Sequence, residues 1–262
     1  MDENAPVLVT GGTGTLGSAV VAELQSRSRP VRILSRRARP ANPAIFAGDL
    51  STGEGVQDAV LGTRAVIHCA TSPTKWRAVD LDGTRRLLRL LGGVAPESHL
   101  VYISIVGCDR NSFPYYRIKA AAEDVLRDAV AAGRNRASIV RATQFHQLVR
   151  LASKVPPKGP VALSFKGMRF QPCDTAFVAR RLVDVALSEP RESTIELAGP
   201  EVVSLRDAIR LTAEHEHRSV PRVVELPAVG GALRSFVRGI NLPGASAELG
   251  GTTYAQWLAG RD

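Results

Sequence analysis

The chain has 262 residues, a formal net charge of +9 and 44% hydrophobic residues. This length suits one domain, or one domain with a small appendage, and the hydrophobic content is enough for a core. No apolar run approaches the roughly 18–20 residues that a membrane span needs, and a core strand predicted from Val7 leaves no room for a signal peptide. The three cysteines are far apart and odd in number, which disfavours a disulfide framework or structural zinc, so we expect a cytoplasmic protein without a membrane partner.

The positive charge raises the question of nucleic acid. Most of it is arginine scattered through predicted helices and loops, which is typical of a solvated surface. The one local concentration brackets the second predicted strand and consists of Arg27, Arg29, Arg32, Arg36, Arg37 and Arg39. A nucleotide phosphate explains its inner members more economically than DNA does. We therefore expect a small-molecule substrate and no specific nucleic-acid binding, with a monomer and a homodimer both open.

A glycine-rich turn follows the first apolar run. After the strand that begins at Val7, glycines stand at positions 11, 14 and 17, and apolar residues then recur at helical spacing up to a second apolar strand. In this frame Gly11 allows a tight reversal, Gly14 allows close approach to a pyrophosphate, and Gly17 lets the helix pack against the strand. Strand, turn, helix and strand together predict a βαβ unit whose helix N-terminus binds a dinucleotide.

The second strand, Val31 to Leu34, is followed by Ser35, Arg36 and Arg37. Proteins that prefer NAD usually carry an acid at this place for the ribose 2′-hydroxyl, and here there is none. Two guanidiniums can instead meet a 2′-phosphate, with Arg36 as the first choice. The sequence therefore predicts NADP(H) over NAD.

Further apolar runs continue the alternation of strands and helices. The predicted strands three to six are Ala44 to Ala47, Ala65 to Ala70, Leu100 to Val106 and Ser138 to Val140. Six strands alternating with helices favour an α/β fold with a doubly wound parallel sheet, the Rossmann fold. From about Thr143 the alternation loosens. We predict a dinucleotide-binding core over residues 1–142 and a small C-terminal lobe over residues 143–262 that covers the substrate.

Several polar residues lie at predicted strand ends. Asp49 follows the third strand and has two open interpretations, an acceptor for the adenine amino group or a structural residue, that is, an ordinary turn residue or helix cap. His68 is interpreted as a hydrogen-bonded core histidine rather than a catalyst. Thr71 and Ser72 come after the fourth strand, where open α/β sheets place ligands. His215 and His217 are two residues apart on a predicted helix, so they predict no metal site.

Tyr115 and Lys119 are four residues apart at the start of a predicted amphipathic helix, which places both on one face. A tyrosine hydroxyl, with an ordinary pKa near 10, is a poor acid-base group at neutral pH. A lysine ammonium nearby favours the phenolate and lowers that pKa. The pair follows the fifth strand of the predicted sheet, so it indicates acid-base chemistry at the cofactor edge.

Together these motifs resemble the short-chain dehydrogenase/reductase superfamily, and within it the extended and atypical, NmrA-like members. The motifs are Thr10 to Gly17 (TGGTGTLG), Gly48 to Leu50, Asp82 to Thr84 and Tyr115 to Lys119, with further likeness at Val101 to Ser104, Ile139 to Phe145 and Glu196 to Pro200. The resemblance covers the whole chain. It is specific for fold and cofactor and unspecific for substrate.

By this resemblance Tyr115 is the acid-base residue and Lys119 is its partner and a contact to the nicotinamide ribose. The resemblance also implies the other cofactor contacts, which are Gly11, Thr13, Gly14, Thr15 and Leu16 for the pyrophosphate, Arg36 for the 2′-phosphate, Asp49 and Leu50 for the adenine, and Ala70 and Thr71 for the inner ribose. The implied activity is NADPH-dependent reduction of a carbonyl, enone or quinone-like small molecule.

The sequence departs from the family pattern at the substrate-orienting serine. That serine usually stands one or two positions beyond Ser104, where this chain has Ile105 and Val106. Ser104 is therefore a candidate catalytic residue or a structural residue at a strand end. A non-catalytic NADP(H)-binding sensor of the NmrA-like type stays open as the alternative function. The candidate substrate-lining residues, each also interpretable as core, are Ser72, Trp76, Phe145, His146, Phe165, Met168 and Phe170.

Overall fold

The computed structural model describes residues 4–37, 42–154 and 160–260. The strands in this part of the chain are β1 (Val7–Thr10), β2 (Val31–Ser35), β3 (Ile45–Ala47), β4 (Ala65–His68), β5 (His99–Ile105), β6 (Arg136–Ala142), β7 (Val161–Phe165), β8 (Arg169–Phe170), β9 (Ile195–Ala198), β10 (Val203–Ser204), β11 (Arg222–Leu226) and β12 (Glu248–Leu249).

The α-helices of the same described residues are α1 (Thr15–Ser26), α2 (Val56–Val60), α3 (Asp82–Val94), α4 (Pro114–Ala131), α5 (His146–Ala152), α6 (Thr175–Leu187), α7 (Leu205–His215), α8 (Gly231–Val237) and α9 (Tyr254–Ala259). A π-helical turn, Arg77–Leu81, immediately precedes α3. Among the helices described, none combines the length and the apolarity needed to cross a bilayer.

Eight strands form one mostly parallel sheet in the order β12-β9-β6-β5-β4-β1-β2-β3. β1 pairs in parallel with β2 on one side and with β4 on the other, so that Thr10 lies opposite both Leu34 and His68. The order of the strands reverses between β1 and β4, which is the place where doubly wound sheets bind ligands. The predicted Rossmann fold is confirmed, and the turn after β1 and the loop after β4 emerge side by side.

The sheet is larger than the sequence predicts. All six predicted strands are present, although β4 ends at His68 rather than at Ala70. β9 and β12 add two strands beyond β6, and β12 has only two residues. Such short runs lack the periodicity from which a strand is read, and their place in the sheet follows from tertiary pairing.

The chain divides into two compact units made of interleaved segments. The first unit comprises Met1–Ser104, Ile118–Val140 and Val178–Thr194, and the second comprises Ile105–Arg117, Arg141–Phe177 and Ile195–Asp262. The glycine turn, β4 and the π-helical turn belong to the first unit. The proposed boundary between residues 142 and 143 stays a prediction.

Each unit has its own apolar core. In the first unit Leu8 of β1, Leu100 of β5 and Leu87 of α3 are fully buried in one cluster. In the second unit Ile209 of α7 and Tyr254 of α9 are buried in another. α3 therefore contributes an apolar side chain, Leu87, to the core of the first unit.

Candidate functional site

The turn between β1 and α1 requires glycine at two positions. Gly11 has a φ of +69°, and a Cβ there would lie 2.7 Å from the Cα of Ala70. A Cβ on Gly17 would lie 2.1 Å from the carbonyl oxygen of Gly11, so only glycine allows α1 to approach the turn this closely. Both structural roles that the spacing predicts, the tight reversal and the close packing of the helix, are present.

The start of α1 is open to an anion. Thr13, Gly14 and Thr15 are exposed, whereas Leu16 and Gly17 are buried. Gly14 precedes the helix, and among the described residues no side chain caps it and no acid lies in its first turn. The N–H groups of a helix start carry partial positive charge. This uncapped turn, in which glycine leaves room for a ligand, fits the pyrophosphate of a dinucleotide.

The residues after β2 carry exposed positive charge. Arg36 and Arg37 are both exposed, and the N–H of Arg37 donates a hydrogen bond to the Ser35 hydroxyl at 3.2 Å. The charges of Arg36 and Lys75 both reach the carboxyl group of Asp49, so these cations lie near the end of β3. The candidate contacts for a 2′-phosphate are thus exposed side chains on the first unit.

The other arginines near β2 have structural partners. Arg27 pairs with Asp184 at 2.7 Å, and the guanidinium of Arg32 donates to backbone carbonyls at the end of α2. Arg39 lies outside the described residues. The local concentration of arginine seen in the sequence is therefore used in part to join α1 to α6 and β2 to the end of α2.

Asp49 forms a turn after β3. Its Oδ1 accepts hydrogen bonds from the N–H and from the hydroxyl of Ser51, both at 2.7 Å. The Ser51 hydroxyl is the main reason why the pKa of Asp49 lies below its ordinary value. Leu50 is buried in the core of the first unit, beside Gly83. Of the two interpretations of Asp49, the turn is what the structure displays, and the adenine contact stays a prediction.

A directed chain of hydrogen bonds runs behind the loop that follows β4. The Thr84 hydroxyl donates to the backbone oxygen of Asp80 at 2.5 Å, so it accepts from Nε2 of His68 at 3.1 Å. Nδ1 of His68 then accepts from the Thr10 hydroxyl at 2.7 Å, and Thr10 in turn accepts from the N–H of Ala70 at 3.3 Å.

His68 is neutral within this chain of hydrogen bonds. Burial lowers its pKa to about 3, and the positive charge of Lys119 acts in the same direction. Both ring nitrogens have partners, so the interpretation of His68 as a satisfied core histidine is confirmed. It also connects the residue before the glycine turn to the π-helical turn.

Lys119 and Asp80 form a buried ion pair. The ammonium nitrogen of Lys119 lies 3.5 Å from Oδ1 of Asp80, and the two side chains are 4% and 0% exposed. The same nitrogen donates to the backbone oxygen of Ile103 at 2.7 Å and lies 4.1 Å from the centre of the Tyr102 ring. Oδ2 of Asp80 accepts from the Thr71 hydroxyl at 3.0 Å. Burial raises the pKa of Asp80, and the ammonium opposes that rise.

Asp80 is the residue that sequence reasoning missed. The apolar spacing over residues 79–90 predicts one continuous helix, whereas the structure has a π-helical turn up to Leu81 and an α-helix from Asp82. π-Helical turns occur often at functional sites, but the pattern of apolar residues does not reveal them. The available signal is the charge itself, since an acid on a buried helical face needs a partner.

The two adjacent tyrosines of α4 have different environments. Tyr115 is half-buried, whereas Tyr116 is 5% exposed. The Tyr116 hydroxyl accepts a hydrogen bond from the amide of Gln144 at 3.1 Å, and burial raises its pKa to about 12. Of the two tyrosines, Tyr115 is therefore the more exposed. It lies four residues before Lys119 on α4.

The remaining candidate site residues of the first unit differ in burial. Ser104 is 2% exposed within β5, and this burial agrees with the structural role that the sequence leaves open. Ser72 accepts a hydrogen bond from the N–H of Lys75 at 3.1 Å, and Trp76 is half-buried before the π-helical turn.

The candidates of the second unit are divided between core and partly exposed positions. Phe170 is 5% exposed in the core cluster, and Met168 packs against that cluster. His146 is fully buried and stacks on Trp257 with ring centres 5.3 Å apart. Phe145 and Phe165 are half-buried. The core interpretation thus describes Phe170 and His146, and a substrate contact by any of the five stays a prediction.

Comparison with protein families identifies one matching model. The model described as the NAD dependent epimerase/dehydratase family matches residues 7–146, which is just over half of the chain. The matched region begins at β1 and ends at the first residue of α5. It therefore includes the glycine turn, the buried ion pair and the Tyr115–Lys119 spacing.

Curated relatives match a similar length of chain. The photosystem II assembly factor Ycf39 of Cyanophora paradoxa is 31% identical over 134 residues, which are 47% of this chain and 41% of that protein. The chloroplastic protein High Chlorophyll Fluorescence Phenotype 244 of Arabidopsis thaliana is 30% identical over 133 residues, which are 47% of this chain and 33% of that protein. The chain thus spans less than half the length of these relatives.

Solved structures share the fold over nearly the whole chain. A short-chain dehydrogenase/reductase superfamily protein from Agrobacterium tumefaciens, crystallised with NAD, has a TM-score of 0.72 at 22% identity. The alignment covers 97% of this chain and 95% of that one. This likeness extends beyond the region that the family model matches and supports the same fold for the C-terminal part.

Proposed function

We propose that this chain, which belongs to the NAD-dependent epimerase/dehydratase family, binds NADPH and reduces a carbonyl, enone or quinone-like small molecule. The family carries NAD(P)-dependent oxidoreductase chemistry in general. The choice of NADPH, the reduction and the roles of single residues are the proposal.

The observation that supports the proposal is the placement of Lys119. Its ammonium is held inside the first unit by Ile103 and Asp80, and it follows Tyr115 by four residues on α4. Residues four apart on a helix lie on one face. A fixed positive charge one helical turn along the chain from a half-buried tyrosine is the spacing that acid-base catalysis by tyrosine uses.

The chain's own residues have distinct tasks in this proposal. The N–H groups at the start of α1 hold the pyrophosphate, and Arg36 holds the 2′-phosphate. Bound NADPH supplies the hydride. Tyr115 donates its proton to the substrate oxygen on which negative charge develops, and Lys119 stabilises the phenolate that remains. Lys119 and Thr71 would hold the nicotinamide ribose.

Turnover against a substrate panel tests the proposal. Oxidation of NADPH is followed by its absorbance with quinones, enones, ketones and aldehydes. We expect turnover with at least one of these classes. Tight NADPH binding without turnover of any of these substrates would contradict the reductase proposal and favour a protein that only binds NADPH.

A second candidate is a non-catalytic NADP(H)-binding sensor. The burial of Ser104, with Ile105 and Val106 following it, favours this candidate because no exposed serine follows β5 at the place where the resemblance expects one. The name of the Cyanophora relative is that of an assembly factor. A sensor of this kind would bind NADPH at the same turn and act through a partner.

Cofactor choice follows from the residues after β2. We expect NADPH to bind at least about tenfold more tightly than NADH, because one charge-assisted contact to a phosphate contributes roughly 1.5–3 kcal/mol. Arg36→Ala should remove most of this difference and leave NADH affinity nearly unchanged. Calorimetry with both cofactors measures this difference in affinity for the wild type and the variant.

A matched control is Arg210→Ala. Arg210 lies on α7 of the second unit, where it pairs with Glu214, so its replacement removes the same charge from an unrelated surface. The control should keep the wild-type preference. Equal affinities of the wild type for NADPH and NADH would contradict the assignment of Arg36.

A further inference from the structure

We propose that Asp80 is a positioning residue that keeps the Lys119 ammonium charged and in place while it anchors Thr71, so that one buried acid sets both sides of the nicotinamide ribose site. The inference rests on the proposed function only for the roles of Lys119 and Thr71 toward the cofactor. The acid itself touches neither cofactor nor substrate in this assignment.

The two carboxylate oxygens of Asp80 have different neighbours. Oδ2 accepts the Thr71 hydroxyl at 3.0 Å, and Oδ1 lies 3.5 Å from the Lys119 nitrogen. Among the described residues Oδ1 has no hydrogen-bond partner, so its interaction with Lys119 is mainly one of charge. A carboxylate and an ammonium that are both this deeply buried are stable only with each other as counter-charge.

The backbone of Asp80 is fixed as firmly as its side chain. Its carbonyl oxygen ends the chain of hydrogen bonds that starts beside the glycine turn and passes through His68 and Thr84. Asp80 lies within the π-helical turn, Arg77–Leu81, so this turn positions both its carbonyl and its carboxylate. A shift of Asp80 would therefore move Lys119, Thr71 and the residue before Gly11 together.

The titratable groups beside Lys119 at the end of β4 are neutral near physiological pH. His68 of β4 has a pKa of about 3, and loss of solvent raises the pKa of the Cys69 thiol to about 12. The Tyr102 ring of β5 contacts the ammonium through its face.

The neighbouring groups on α4 itself are Tyr115 and Glu123, one helical turn to either side of Lys119. Glu123 pairs with Arg127 at 2.6 Å. Asp80 is thus the acid on the π-helical turn that pairs with Lys119, while Glu123 on the helix has its own cation.

A double-mutant cycle on NADPH affinity tests whether Asp80 acts through Lys119. Asp80→Asn keeps the shape and removes the charge, and we expect it to raise the Kd of NADPH by about tenfold. In a Lys119→Met background the same change should alter the Kd by less than about twofold, because the group through which it acts is gone. Equal effects of Asp80→Asn in both backgrounds, or a wild-type Kd for the single variant, would overturn the inference.

The pH dependence of thermal unfolding provides a second readout that needs neither cofactor nor turnover. With Asn at position 80, the buried ammonium lacks its counter-charge, so its pKa in the folded protein falls below the ordinary value of about 10.4. The unfolded chain then binds more protons than the folded one, and stability rises with pH in that range. The Tm deficit of Asp80→Asn relative to wild type should therefore narrow between about pH 7 and pH 9.5.

The control for both measurements is Asp82→Asn. Asp82 is a partly exposed acid two residues further along, paired with Arg85 at 3.0 Å. It should show the wild-type Kd, and any Tm difference should not vary with pH. A Tm deficit of Asp80→Asn that is equally constant with pH would assign Asp80 a merely structural role. Failure of the wild type to bind NADPH would instead refute the proposed function, while the Tm profile would still decide how Asp80 and Lys119 interact.

Discussion

Replacing Tyr115 with Phe is expected to lower NADPH-dependent turnover by about 10²–10⁴-fold, the usual contribution of general acid-base catalysis. The ring and its packing remain, and only the proton donor is lost. The Kd of NADPH should therefore stay within about twofold of the wild-type value, because the change removes an interaction that is made only in the transition state. Steady-state kinetics on the best substrate of the panel, with NADPH binding measured alongside, checks both numbers.

The neighbouring residue provides the control. Tyr116→Phe makes the same chemical change on the same helix, at a hydroxyl that is bonded to Gln144 inside the second unit. Turnover of this variant should remain within a few-fold of wild type, although its Tm falls. If Tyr115→Phe is as active as wild type, or if both variants lose activity equally, the assignment of Tyr115 is wrong and the sensor becomes the better candidate.

The central strands could be predicted from the sequence because each of them is a mostly apolar run. Runs such as Ala65 to Ala70 and Leu100 to Val106 are too short for buried helices and are bounded by turn residues. β9 and β12 could not be predicted in the same way. β12 has only two residues, β9 contains the charged Glu196 among its four, and their pairing in parallel with each other is a tertiary contact that no local period encodes.

The residues of the candidate site also differ in whether the sequence or only the folded structure reveals their roles. The roles of Gly11 and Gly17 could be predicted from the sequence because glycines at this fixed spacing indicate a turn without room for a Cβ. In the structure a Cβ at either position would collide with backbone atoms. The role of Asp80 could not be assigned from its charge alone, because its partner, Lys119, is 39 residues away in the sequence and the π-helical turn breaks the period that predicts a face. The spacing to Lys119 selects Tyr115 in the sequence, but the difference in burial between Tyr115 and Tyr116 is seen only in the folded chain.

Gly17→Ala is expected to lower the free energy of unfolding by about 1–3 kcal/mol, as overpacking does at a site that cannot relax. The added Cβ would lie 2.1 Å from the Gly11 oxygen and 2.8 Å from the Cα of Gly12, so the start of α1 must move away from the turn. Both obstacles are backbone atoms and cannot rotate aside. Because the helix N–H groups move with α1, the Kd of NADPH should rise by at least about tenfold, the loss of one charge-assisted hydrogen bond.

Gly93→Ala on α3 makes the same substitution without the obstacle. Outside its own helix backbone and its two chain neighbours, no atom lies within 4 Å of a Cβ at Gly93, and its φ is not in the left-handed region. Alanine is favoured over glycine in a helix by about 0.8–1 kcal/mol, so this control should be neutral or more stable and should bind NADPH normally. Helix propensity alone would stabilise both variants. Changes of opposite sign in their free energies of unfolding, measured by chemical denaturation, therefore isolate the steric effect at Gly17. A Gly17→Ala protein as stable as wild type, with unchanged NADPH affinity, would contradict the close approach of α1 to the turn.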